Sequence, residues 1–244
     1  NTTRTFCVRA VESADAGWTL LYKVGTNDIS TAVTAAGGYT TGNLAPGGSE
    51  VITLAMTPTD PVMGGTTKSA AFSVALDGAG TAKDRVQATT TLGVVDKGDL
   101  LVKLGSETDP SYGIDNTYQT GAASGDQTET QTVAANTAAI YQVKIENDGN
   151  AARGFVLKAT ETAETGWTVV YKKADGTDIS TEMRSVGGYA IANLNRAAGE
   201  VVTVEMTPDA TVVGGTAKSA TVKAYLAGSD VTAQDTVSVT ATLG

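Results

Sequence analysis

GWTLLYK at residues 17–23 returns as GWTVVYK at residues 166–172, and its surroundings return with it. DIS at 28–30, GGY at 37–39 and MTP at 56–58 come back at 178–180, 187–189 and 206–208; TKSAAFSVAL at 67–76 becomes AKSATVKAYL at 217–226. Self-similarity at a fixed spacing marks repeated structural units and sets the frame for every local reading. The second copy carries a leader, residues 99–149, whose counterpart would fall before Asn1. The sequence therefore divides into a partial unit at 1–93, a linker at 94–98 and a complete unit at 99–244. The first unit is expected to lack its early strands within this chain, or to receive them from a neighbour.

Comparing the copies separates inward from outward positions. Trp18, Leu20 and Tyr22 become Trp167, Val169 and Tyr171; Ile52, Leu54 and Met56 become Val202, Val204 and Met206. Between them Ala55 becomes Glu205, and Ser73 becomes Lys223 opposite Phe72 and Val74. An apolar side chain at every second residue, in short runs divided by Gly, Asn and Pro, describes strands with one buried face. The leader adds two more such runs, Leu100, Val102 and Leu104, then Tyr141, Val143 and Ile145. No stretch of ten residues has a helical period. The fold predicted is all-β, a tandem of antiparallel β-sandwiches with Ig-like connections, held stiffly by the short linker.

The six leader side chains would contribute on the order of 10 kcal/mol by burial. A whole domain is stable by only about 5–15 kcal/mol. The partial unit is thus expected to need completion, and its open sheet edges invite pairing with another chain.

Composition prunes function. The net charge of −9 and the lack of any basic stripe exclude a nucleic-acid partner. No apolar run is long enough to insert in a membrane as a helix. The chain has no His, which removes Ser-His-Asp and Cys-His nucleophiles and His-bearing zinc sites. With one Cys it has no internal disulfide framework. The acidic pair Asp175 and Asp178 in DGTD reads as a hairpin turn. The glycine doublets read as turns between strands. No enzyme is expected. High Thr with little Cys and Lys matches prokaryotic surface proteins, placing the chain outside the cell.

At IENDGNAARGF, GGYTTGNLAPGGSEVITLAMTP and the closing TTTLG, the sequence resembles Ig-like repeat modules of secreted bacterial and archaeal proteins, of the CARDB-like and α-galactosidase-associated type. The shared features are turns: Asn147-Asp148-Gly149, Leu44-Ala45-Pro46-Gly47, and the strand end from Val51 to Pro58. In the second copy Leu194-Asn195-Arg196-Ala197-Ala198-Gly199 lacks the Pro-Gly pair. The resemblance implies spacers, stalks, adhesive arrays or filament subunits at the cell surface, and no catalytic residues.

The insert at 105–130 is the candidate ligand site. Glu107, Asp109, Asp115, Asn116, Asp126 and Glu129 are hard oxygen donors in an irregular loop, as Ca²⁺ prefers; Asp109, Asp115 and Asp126 are the Ca²⁺ candidates, and no other cofactor is expected. Asn1-Thr2-Thr3 fits an N-glycosylation acceptor at Asn1. Trp18 and Trp167 belong to inward faces; Tyr112 and Tyr225 are the tyrosines placed for surface contact, including contact with a glycan. Cys7 faces outward. The function expected is an extracellular tandem array or filament subunit, its partners being copies of itself joined head-to-tail by strand complementation. The alternatives are a carbohydrate-binding or spacer module of a secreted glycosidase, and a Ca²⁺-dependent adhesin.

Overall fold

The computed structural model describes residues 2–76, 80–108, 112–113, 115–229 and 231–244. The chain separates into two compact units, Asn1–Val94 and Val95–Gly244.

The second unit is a two-sheet sandwich. Its strands are β8 (Gly98–Leu104), β9 (Thr128–Val133), β10 (Ala139–Asn147), β11 (Arg153–Glu161), β12 (Trp167–Lys173), β13 (Tyr189–Leu194), β14 (Gly199–Pro208), β15 (Ala217–Leu226) and β16 (Asp235–Leu243). One sheet runs β12-β14-β10-β8 and the other β13-β11-β15-β16-β9. Residues from both sheets form one core, among them Leu100, Val102, Tyr141, Val143, Ile145, Phe155, Leu157, Val202, Val204, Met206 and Val237. The inward set read from the alternation is the buried set. The leader contributes β8 and β10 as expected. Its third strand, β9, was hidden in the end of the insert and pairs parallel with β16, the one parallel pairing among the described residues.

The first unit repeats this plan with fewer strands: β1 (Phe6–Glu12), β2 (Trp18–Val24), β3 (Asn27–Asp28), β4 (Tyr39–Thr40), β5 (Ile52–Pro58), β6 (Thr67–Leu76) and β7 (Ala82–Thr91). Its sheets run β4-β1-β6-β7 and β3-β2-β5. Among the described residues nothing pairs with the outer edges of β5 and β7. In the second unit β10 and β9 occupy those places.

Both copies share a short helix the strand pattern does not reveal, α1 (Ser30–Thr34) and α2 (Ser180–Arg184). The repeated DIS motif builds it. Asp28 Oδ1 accepts the Ser30 N–H and Ser30 Oγ accepts the Tyr22 N–H; Asp178, Ser180 and Tyr171 do the same. These are side chain-to-backbone turns of the kind Asp and Ser make. The second glycine of each GGY is required by space and conformation. Gly38 and Gly188 have φ +75° and +72°, and a Cβ there would lie 2.9 Å from Val8 O and 2.7 Å from Leu157 O.

Residues 95–97, read from the sequence as part of a linker, are bonded into the second unit. Val95 N donates to Asn150 Oδ1, Asn150 N to Val95 O and Asp148 N to Lys97 O, and Asp96 pairs with Arg153. Gly98 already belongs to β8. The Asn147-Asp148-Gly149 turn holds this segment, and a Cβ at Gly149 would meet Val95 O at 2.4 Å.

Candidate functional site

Two features stand apart from the regular sandwich, and each follows from the leader. The first is an open groove on the first unit, of about 250 Å³, lined by Val8, Glu50, Ile52, Phe72, Val74 and Val86. Its floor is the inner face of strands whose equivalents are sealed in the second unit. Val86 is 66% exposed, whereas Val237 in the matching position of β16 is 0% exposed. Ile52, Leu54 and Met56 are half-buried, against full burial of Val202, Val204 and Met206. In the second unit β10 covers this region by pairing with β14, Val143 opposite Val202 and Tyr141 opposite Val204.

The second feature lies where the insert crosses the outer face of β8. Leu100 and Val102 point to the core, while Asp99, Leu101 and Lys103 alternate with them and are buried as well. The insert covers that outer face: Lys103 Nζ donates to Glu107 O at 2.8 Å, and Asp99 Oδ2 accepts the Asn116 N–H at 2.7 Å. Asp235, at the start of β16, accepts from four donors, two of them in the insert. Its Oδ2 accepts from Leu100 N and Gln127 Nε2, and its Oδ1 from Gln119 N and Thr236 N.

Beside Asp235, oxygens of Asp99, Asp115 and Asp148 lie within 4.8 Å of one another. Asp99 and Asp235 are both fully buried. Burial pushes the Asp99 carboxyl up to about 8, against the pull of the Asn116 N–H and with the help of a hydrogen bond to Asp235 and of the Asp235 charge. Asp148 is also pushed up, chiefly by burial, although the Tyr118 hydroxyl donates to its Oδ2 at 2.7 Å. Lys97 Nζ lies 4.3 Å from the centroid of the Tyr118 ring.

Of the Ca²⁺ candidates read from the sequence, only Asp115 enters this cluster. Asp126 is exposed in the 3-10 turn Gly125–Gln127, outside the cluster, and Asp109 falls outside the described residues. Asn1, the glycosylation candidate, also falls outside them. Sequence reasoning missed Asp99, Asp148 and Asp235. A signal existed for the last: Asp84 and Asp235 occupy the same register in β7 and β16, opposite Val74 and Ala224.

The other singled-out residues have structural employment. Asp175 and Asp178 are fully exposed turn carboxylates that accept the Thr177 and Ser180 N–H groups. Cys7 Sγ donates to Gly37 O at 3.0 Å. Trp167 packs against the core of its unit, and Trp18 is half-buried. Lys103 and Lys144 sit over Tyr112, and Lys158 over Tyr225, so neither ring is a bare stacking platform.

No family model matches the chain and no curated protein is similar to it, so the resemblance to CARDB-like modules has no match behind it. Solved structures do resemble it. The CFA/I adhesin CfaE of enterotoxigenic Escherichia coli aligns over 100% of this chain and 80% of its own, with 8% identity and a TM-score of 0.46. The CupB6 tip adhesin from Pseudomonas aeruginosa aligns over 100% and 87%, with 8% identity and a TM-score of 0.40. The surface layer protein SbsC, domains 1–6, aligns over 94% of this chain and 20% of its own, with 16% identity and a TM-score of 0.33. At these scores none of the three supplies a function or a residue role.

Proposed function

We propose that the protein is an extracellular structural component, a tandem array of Ig-like sandwiches or a filament subunit at a cell surface. In this reading the first sandwich is completed by a leader-type segment equivalent to β8, β9 and β10. That segment comes from a preceding repeat of a longer array or from a neighbouring copy joined head-to-tail. Main-chain pairing along the edges of β5 and β7 supplies affinity, and alternating apolar side chains entering the groove supply register.

The observation that carries the reading is the unequal burial of equivalent strands, Val86 at 66% exposure and Val237 at 0%. An apolar sheet face with two unpaired edges is a liability in a surface protein unless something covers it. A head-to-tail contact of this kind is heterologous and extends into an open filament.

The test uses native surface material. A Val86→Cys variant is expected to react freely with a thiol reagent in the isolated chain and to be protected in the native assembly. Equal reactivity in both overturns the proposal. Denatured mass and N-terminal sequencing of the same material then separate its two forms. A mass well above 24.7 kDa places the covering strands in the same polypeptide; a chain of that mass starting at Asn1 places them in a neighbour.

A further inference from the structure

The carboxylate cluster on the second unit does not belong to the open groove, and one atom in it has no place in a sandwich held by hydrogen bonds alone. Asp99 is fully buried, its Oδ2 accepts the Asn116 N–H, and its Oδ1 has no hydrogen-bond partner. Such an oxygen carries the whole cost of its lost hydration. Only a proton held by Asp99 and given to Asp235, or a cation against Oδ1, can relieve it. Asp235 itself accepts four N–H bonds. The Tyr118 hydroxyl is directed to Asp148 and Asn116 instead.

The charges around the site are lopsided. Asp99, Asp115 and Asp148 converge within 4.8 Å, Asp235 stands behind Asp99, and Glu146 and Lys97 flank Asp148. Glu146 is paired with Lys144, so four carboxylates are left with one ammonium group, and that ammonium lies over the Tyr118 ring. The three converging carboxylates come from three separate pieces of chain: β8, the insert, and the turn after β10. A cation at their centre would tie the insert to the sandwich at the point where Asn116 and Gln119 are already bonded to Asp99 and Asp235.

We propose that Asp99, Asp115 and Asp148 bind a divalent cation, Ca²⁺, which pins the insert onto β8. The donor set is all hard oxygen, with no sulfur or imidazole ligand, which disfavours zinc and copper. It is assembled on an irregular loop, which suits the six to eight flexible ligands of Ca²⁺ better than the strict octahedron of Mg²⁺. Water and the Asn116 amide oxygen can fill the remaining positions.

The test is calorimetric titration of the full chain with CaCl₂, together with melting in Ca²⁺ and in EDTA. A Kd at or below about 1 mM is expected, as for extracellular modules. Melting of the second unit should rise by about 5–10 °C at a Ca²⁺ concentration a hundred times Kd. Asp115 is exposed, so Asp115→Asn should leave folding in EDTA unchanged while weakening binding at least tenfold and removing the shift. Asp126→Asn should retain both. Asp99→Asn should abolish the response to Ca²⁺. Three results overturn the proposal: no binding at about 1–10 mM Ca²⁺, a full Ca²⁺ shift surviving in Asp115→Asn, or Mg²⁺ reproducing the whole effect.

Discussion

Strands β7 and β16 pair in the same way with the strand before them, Val86 opposite Phe72 and Val237 opposite Val222. One of these valines is among the most exposed large side chains of the chain and the other is fully buried. β5 and β14 differ in the same sense, their apolar residues alternating identically but half-buried in β5 and fully buried in β14. Burial here is therefore not a property of the strand's own sequence. It is conferred by the strands laid beside and across it: β10 beside β14, β9 beside β16, and β8 across from β16. The alternation says which face would be inside, and the leader decides whether there is an inside.

The most direct way to break this comparison is to put a charge at both matched positions. Val237→Asp places an unpaired carboxylate in a closed core and should destabilise the second unit by about 4 kcal/mol or more. Val86→Asp should change the isolated chain by no more than about 0.5 kcal/mol. Denaturant unfolding followed by tryptophan fluorescence resolves the two, since each unit holds one tryptophan, Trp18 or Trp167, and replacing either by Phe silences its unit. A large loss from Val86→Asp would mean that the groove is already filled, and the distinction between the units would collapse.

The same contrast explains what could be read from the sequence. The all-β class and the strand faces were legible because period-two alternation repeated across two copies is a redundant signal. Strand β9 was not legible. Its residues, Thr128 to Val133, are polar at every position but one, because it packs at the rim of a sheet and takes its place from parallel pairing with β16. The α1 and α2 turns were missed because five residues are too few for a helical period. They depend on the Asp-Ile-Ser cap, which was visible in both copies only as a repeated motif. The acidic cluster was half legible. Asp115 stood out in a polar insert, but Asp99 sits in a strand and Asp148 in a turn, and only the fold brings them together.

Where the comparison should sharpen into equality is the β1–β2 corner. Lys68 and Lys218 are nearly buried in equivalent positions. Lys68 Nζ donates to Ser13 O and Asp15 O, Lys218 Nζ to Thr162 O, and each lies near a glutamate, Glu12 or Glu161. Neither contact involves the leader. Lys68→Met and Lys218→Met keep the stem and strand loop carbonyls without a donor. Each should cost about 1–3 kcal/mol, and chemical denaturation should give similar values in the two units. A markedly smaller loss in the first unit would mean that its open side loosens even this distant corner.

The smallest effect expected concerns the caps at Asp28 and Asp178, which are fully exposed and identical in role. Each carboxyl is held below its ordinary range, first by the serine of its own DIS motif and then by that serine's backbone N–H. A folded pKa lower than the unfolded one means that the cap stabilises at pH above about 4 and that this contribution is lost as pH falls through the folded value. Melting of Asp28→Ala and Asp178→Ala should therefore lie slightly below that of the parent chain at pH 7 and converge with it in acid. Because each bond stays within its own DIS motif, the two small losses should match even though one unit is open and the other closed. Unequal losses would show that the open edges of β5 and β7 affect the first unit further in than its hydrogen bonds suggest.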